Sequence, residues 1–321
     1  MHRMLKLATA LTACFIAGQN AWATSYPERA VKIIVPQAPG GASDALARLM
    51  AQELAIKWSQ PVVVENKAGG GGNIGLDAAA KSPGDGYTLL FTYEGTHAIN
   101  VSLRDLPFDP VQDFTPIASV ATVPFIVTLN KDMKVNSFKE FVSLASETDK
   151  ITFGSAGSGT VNHLLGEMIN LEAGTKLTHI PYKGAAPALT DLLGGRISTV
   201  FTSVPSIAGH VDAGSVKALA ITSNQRSSRF PDIPTIAESG YPNFHVAPWF
   251  GIFGPANMPQ DIIDRINADV TALLDTDKVK ESLAQQAAEP LKTTPAQLKQ
   301  MLIDDIEKWR ITVEKSGARV D

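Results

Sequence analysis

Two hydrophobic periods alternate along this chain, and that alternation limits its fold more than any other feature. Runs rich in β-branched residues at 31–36, 61–65, 87–92, 151–153, 178–182, 198–201 and 216–222 read as buried strands, with apolar residues at helical spacing between them. The clearest helix is Ala42–Trp58, where Leu46, Leu49, Met50, Leu54 and Trp58 fall on one face. Strand–helix–strand units of this kind build α/β folds with mostly parallel sheets.

At 321 residues the chain exceeds the size at which one core usually divides, so two lobes are expected. Two apolar segments interrupt the alternation: 114–130, with Val120, Val123, Phe125, Val127 and Leu129, and 245–255, centred on Trp249-Phe250-Gly251-Ile252-Phe253. They are expected to carry the chain from one lobe to the other and back. This makes lobe 1 residues 24–124 plus 249–321 and lobe 2 residues 125–248. The C-terminal part reads as helical, through Ile262, Ile263, Ile266, Val270 and Leu273 and then Leu298, Leu302, Ile306, Trp309 and Val313. Pro259 and Pro295 suit first helical turns.

Residues 1–23 have the pattern of a signal peptide: Arg3 and Lys6, an apolar run over 7–18, and Ala21-Trp22-Ala23 as cleavage signal. Cleavage after Ala23 would release a soluble periplasmic protein. Leu11-Thr12-Ala13-Cys14 also has the form of a lipobox, but Phe15 and Ile16 continue the apolar run past the cysteine. Cys14 is the only cysteine, so the remaining chain has no disulfide, thiol nucleophile or cysteine-bound metal. Loss of the leader removes two of the 28 basic groups and none of the 32 acidic ones. The resulting acidic balance disfavours nucleic acid and anionic membranes as partners.

Two glycine-rich turns stand between a strand and a helix. In Pro36-Gln37-Ala38-Pro39-Gly40-Gly41-Ala42-Ser43-Asp44, the glycines let a ligand approach the backbone, and free amides at the helix start form an anion site without a basic side chain. The bland reading is a tight turn capped by Ser43 or Asp44. In Gly154-Ser155-Ala156-Gly157-Ser158-Gly159-Thr160, amides and three hydroxyls offer donors suited to a carboxylate or phosphate. With one turn in each lobe, both are expected to face a shared cleft, because open α/β sheets bind ligands at strand C-termini. His163, just beyond the second turn, is a candidate pocket residue. Tyr182 and Lys183 could place a ring and an ammonium at a strand end, against the alternative that Lys183 is merely solvated.

Other chemistries fit poorly. Gly70-Gly71-Gly72-Asn73-Ile74-Gly75 matches a dinucleotide fingerprint, but four consecutive glycines match such patterns cheaply and the motif lies in the second βα unit. Neither Ser155 nor Ser158 has the flanking glycines of a nucleophile elbow. His97, His163, His179, His210 and His245 lack metal-ligand spacing. No cofactor is expected.

With these residues in place, the chain resembles the Bug (TctC-like) solute-binding receptors of tripartite tricarboxylate transporters. The resemblance runs end to end. It is carried by Pro39-Gly40-Gly41 with Asp44, the loop 66–75, Asp85-Gly86-Tyr87-Thr88-Leu89-Leu90, the turn 154–160 with His163-Leu164, Pro181-Tyr182-Lys183-Gly184, Leu193-Gly194-Gly195, Ala218-Leu219-Ala220, Pro231-Asp232-Ile233-Pro234-Thr235 and Trp249-Phe250-Gly251. It implies a type II periplasmic binding protein fold, two α/β lobes joined by two crossover strands, closing on a ligand in the cleft by a hinge motion. It also implies capture of a small carboxylate by the amides and hydroxyls of both turns, partly through water, and no catalysis. Thr160 stands where the family commonly has serine. The implied partners are membrane subunits of such a transporter or a sensor protein, with the receptor itself a monomer. A secreted enzyme acting on a small organic acid is the competing reading.

Overall fold

The computed structural model describes residues 26–320; the leader, its cleavage site and Cys14 lie outside the described residues. In chain order the elements begin β1 (Val31–Val35), α1 (Ala42–Trp58), β2 (Val62–Asn66), α2 (Asn73–Ala80), β3 (Thr88–Tyr93), α3 (Asn100–Leu103) and β4 (Phe114–Thr122). There follow β5 (Phe125–Asn130), α4 (Phe138–Glu147), β6 (Thr152–Ser155), α5 (Val161–Ala173), β7 (Thr178–Pro181), α6 (Ala185–Leu193), β8 (Thr199–Ser203), α7 (Val204–Asp212) and β9 (Val216–Ile221). The chain then returns through β10 (Trp249–Pro255) to α8 (Gln260–Leu273), α9 (Asp277–Gln285), β11 (Glu289–Pro290) and α10 (Pro295–Ser316).

Two sheets result, ordered β11-β4-β10-β3-β1-β2 and β7-β6-β8-β5-β9. Strands joined through helices are parallel, as β1 is with β2 and β3, and β6 with β7 and β8. The two strands that arrive from the other sheet run against their neighbours: β10 is antiparallel to β3 and β4, and β5 to β8 and β9. The sheets are therefore mixed where the alternation alone suggested mostly parallel ones.

The segment 114–130 is two strands rather than one. It breaks at Val123-Pro124 because proline has no N–H for a ladder and the chain changes sheet there. Beside it runs the return crossing. The Val123 amide donates to the Pro248 carbonyl (3.0 Å) and the Thr122 hydroxyl to the Ala247 carbonyl (3.0 Å), so the two crossings form one hydrogen-bonded ribbon.

The helices follow from their apolar spacing. In α1, Leu46, Met50 and Leu54 are fully buried and Trp58 closes the face, where its indole N–H donates to Asp269 of α8 (2.8 Å). Pro295 opens α10 behind a capping box of Thr294 and Gln297. Pro259, in contrast, stands just before α8, at the cap. Among the described residues no helix is long and apolar enough to cross a membrane.

Candidate functional site

The C-terminal ends of β1 and β3 and those of β6 and β8 come to the cleft between the sheets, as strand direction requires. A cavity of about 490 Å³ lies there, within the usual range for small-molecule sites. One wall is Gly40, Gly41 and Ala42, the start of α1. The other is Ser203, Pro205 and Ser206, the start of α7, with Phe125 beside them. Tyr93 and Phe250, stacked at 5.7 Å, form part of the apolar lining.

A second cavity of about 510 Å³ includes Thr122, Pro124 and Ala247, whereas Val123, Phe125 and Pro248 line the first. Alternate residues of a strand point to opposite faces. The two cavities therefore lie on opposite sides of the crossing ribbon; the first meets the C-terminal ends of β3 and β8 with a helix start on each wall, whereas the second includes Thr122 at the end of β4 and Ser223 and Asn224 just beyond β9. The first is the candidate site.

The first glycine turn is tied together by its own side chains. Asp44 is buried, and its carboxylate accepts from the Gly40 amide (3.0 Å), Arg48 Nε (3.1 Å) and Asn66 Nδ2 (2.9 Å). The Arg48 guanidinium is the main cause that draws its pKa down to about 2. Asp44 thus orders the turn and does not line the cavity. Gly40 needs its φ of +90°, which L side chains rarely adopt. Gly41 has ordinary extended backbone (φ −86°, ψ 174°), and a Cβ placed there would meet nothing within 4 Å. Pro39 is exposed beside the turn.

The second turn is shorter than expected, because Gly154 and Ser155 belong to β6 and pair with Ile180 and Pro181 of β7. Most of its donors are spent internally. The Gly157 amide donates to Ser155 Oγ (3.1 Å), the Thr160 hydroxyl to the Gly157 carbonyl (2.7 Å), and the Gly159 amide to His163 Nδ1 (3.0 Å). Ala156 and Ser158 have no hydrogen-bond partner among the described residues. None of the residues 155–160 lines the cavity, but β6 is the parallel neighbour of β8, so the turn opens one strand beyond Ser203. A Cβ on Gly159 would lie 2.7 Å from Leu103 of α3, so here the two halves touch closely.

His163 is buried and stacks on His179 at 3.8 Å, and His179 Nε2 lies 2.6 Å from Ser155 Oγ. Burial, then the neighbouring His163, pulls the His179 pKa down to about 4. Ser155 and His179 have the spacing of a nucleophile and base, but the serine is fully buried, so no substrate reaches it. Tyr182 donates to Asp191 Oδ2 (2.8 Å); burial and Asp191 push its pKa up to about 12. Lys183 is exposed, and neither it nor Tyr182 lines the cavity.

Residues 46–318 match the family model of the tripartite tricarboxylate transporter family receptor. The chain belongs to that family. It is 38% identical over 301 residues to the protein BugT of Bordetella pertussis, covering 93% of this chain and 92% of BugT. The receptor is also similar to the structure of Rpa4515 from R. palustris with adipate, at 33% identity and a TM-score of 0.78 over 92% of this chain and 100% of that one. MatC from Rhodopseudomonas palustris with bound malate is 32% identical, with a TM-score of 0.74 over 90% and 100% of the two chains. This receptor is accordingly a solute-binding protein of α/β two-lobed fold and not an enzyme.

The serines at the start of α7 were missed in the sequence. The signal was present in Thr202-Ser203-Val204-Pro205-Ser206: hydroxyls at a strand end, followed by a proline in the first helical turn.

Proposed function

We propose that the receptor captures a small organic carboxylate in the cavity between its two sheets. The observation that carries this is the composition of the cavity wall: backbone of Gly40, Gly41 and Ala42 on one side, serines at a second helix start on the other, and no charged side chain among the described residues that line it. Amides at the start of α1 seat the anion. Ser203 and Ser206, whose hydroxyls lie 2.8 Å apart, approach from the other wall. Adipate and malate in two relatives support the same ligand chemistry.

Lobe 1, residues 24–124 plus 249–321, and lobe 2, residues 125–248, close about the ribbon at Thr122–Phe125 and Ala247–Trp249. Closure brings the free amides of Ala156 and Ser158, one strand away, toward the solute. Asp44, Ser155, Thr160 and His163 hold the two turns in shape. Export, with cleavage after Ala23, places the receptor in the periplasm, where it acts as a monomer delivering solute to the membrane subunits of a tripartite transporter or to a sensor.

A thermal-shift screen over organic acids tests this reading. A ligand at 100 times its Kd adds roughly 2.7 kcal/mol, which should raise Tm by about 5 °C. If cations or sugars raise Tm and no carboxylate does, the reading is wrong.

A further inference from the structure

We infer that the receptor holds its solute by two carboxylates, the first at the start of α1 and the second in a smaller pocket behind Ser206, where the Thr202 hydroxyl and the start of α6 receive it. The inference rests on the reading above that Gly41 and Ala42 seat the first carboxylate. The smaller pocket, of about 330 Å³, is lined by Ala185, Ala186 and Leu189 of α6, Val200 and Thr202 of β8, and Ser206 of α7. Ser206 also lines the main cavity, so the two spaces meet at its side chain. Val200 and Thr202 are alternate residues of one strand and face the pocket together.

Thr202 carries the argument. It is 4% exposed, yet its hydroxyl has no hydrogen-bond partner among the described residues, and the open space before it is this pocket. Buried hydroxyls are nearly always paired, so an unpaired one on a pocket wall calls for a ligand atom. The start of α6 points to the same kind of ligand. Gly184 caps that helix without a side chain, and a Cβ there would meet nothing within 4 Å, so the chain itself leaves the helix end uncovered. The amides of Ala185 and Ala186 have no acceptor within the helix. Two amides and two hydroxyls make a lining rich in donors, no described residue that lines the pocket is charged, and the N-terminal pole of α6 favours an anion over an ammonium. A carboxylate, which only accepts, is the matching group. The chemistry proposed for the start of α1 is thus repeated beside the other sheet. The ends of a diacid are held by opposite walls of the cleft, whereas a monoacid leaves Thr202 unpaired.

Calorimetry at neutral pH with succinate, glutarate, adipate and pimelate, each beside its monomethyl ester, tests this. At the chain length that fits, the diacid should bind about 100-fold more tightly than its ester, which keeps the shape and one carboxylate. Thr202→Val, nearly equal in volume, should cut the diacid affinity about 10-fold and leave the ester unchanged. Its Tm without ligand should be no lower than that of the parent, because the hydroxyl it removes is unpaired. Ala185→Pro takes one amide from the first position of α6, where proline is well tolerated, and should likewise weaken the diacid alone. A diacid that at every length binds no more tightly than its ester overturns the inference and leaves the seat at α1 standing. So does a diacid advantage undiminished in either variant, or a lower Tm in unliganded Thr202→Val, which would mean that the hydroxyl is spent inside the fold. Failure of every acid and ester to bind removes the carboxylate reading and the inference together.

Discussion

Replacing Gly41 by valine should weaken carboxylate binding by about 100-fold or more in a protein that still folds. Because Gly41 has ordinary extended backbone, valine introduces no strain, and as the residue before α1 it should cost only about 1 kcal/mol. Its Cβ would project into open space at the cavity wall. The added methyl groups then occupy the place where the solute must reach the amides of α1. Calorimetry on Gly41→Val, with Lys183→Ala as control, reads this directly. The account expects binding lost in the first and unchanged in the second. Loss in the lysine variant alone would mean that an ammonium, not the backbone, holds the anion.

The second large effect is on stability. Glu94, at the end of β3, is 1% exposed and accepts from Trp309 Nε1 (2.6 Å) and Lys308 Nζ (3.1 Å) of α10. Lys308 also pairs with Asp305 (2.5 Å), which accepts from Trp249 Nε1 of β10 (2.7 Å). Burial pushes the Glu94 carboxyl up, and the Lys308 ammonium works against that shift. The network ties α10 to the two strands that carry Tyr93 and Phe250 of the cavity wall.

Lys308→Met would strand Glu94 without its counter-charge. The loss should be about 3 kcal/mol, the low end for a broken buried pair, because the lysine side chain is 28% exposed. Thermal unfolding should show Tm lower by about 6 °C. Adding Glu94→Gln should recover part of that, since the amide oxygen still accepts from Trp309 while the more deeply buried charge is gone and only Asp305 lacks its partner. An undiminished Tm in the single variant would show that the ion network contributes nothing to holding α10 in place.

What the sequence made legible was what depends on local period and turn chemistry. Ala42–Trp58 is visible as a helix because its apolar residues recur on one face, and the first glycine turn is visible because it must join β1 to that helix. The crossings were visible as long apolar segments, since a strand that changes sheets is buried on both faces; β10 is buried along its whole length. Contacts made across the fold were not visible. Gln285 reaches the cavity only because α9 packs beside α1, and the stacking of His179 on His163 depends on how β7 folds back along α5. Asp44 is intermediate. It belongs to the turn that the sequence singles out, but Arg48 stands four residues on, at the spacing of a helical ion pair, and holds its carboxylate.

The central claim is that backbone at the start of α1, in the cleft between the sheets, holds the solute carboxylate. Titrating the ¹⁵N-labelled protein with the tightest-binding acid from the screen, and following its amide resonances, tests this most directly. The account predicts that the Gly41 and Ala42 amides shift most, followed by those at the start of α7, while Lys183 and residues 223–228 of the rear cavity stay still. Largest shifts at Lys183 or in 223–228, with Gly41 and Ala42 unmoved, would contradict it.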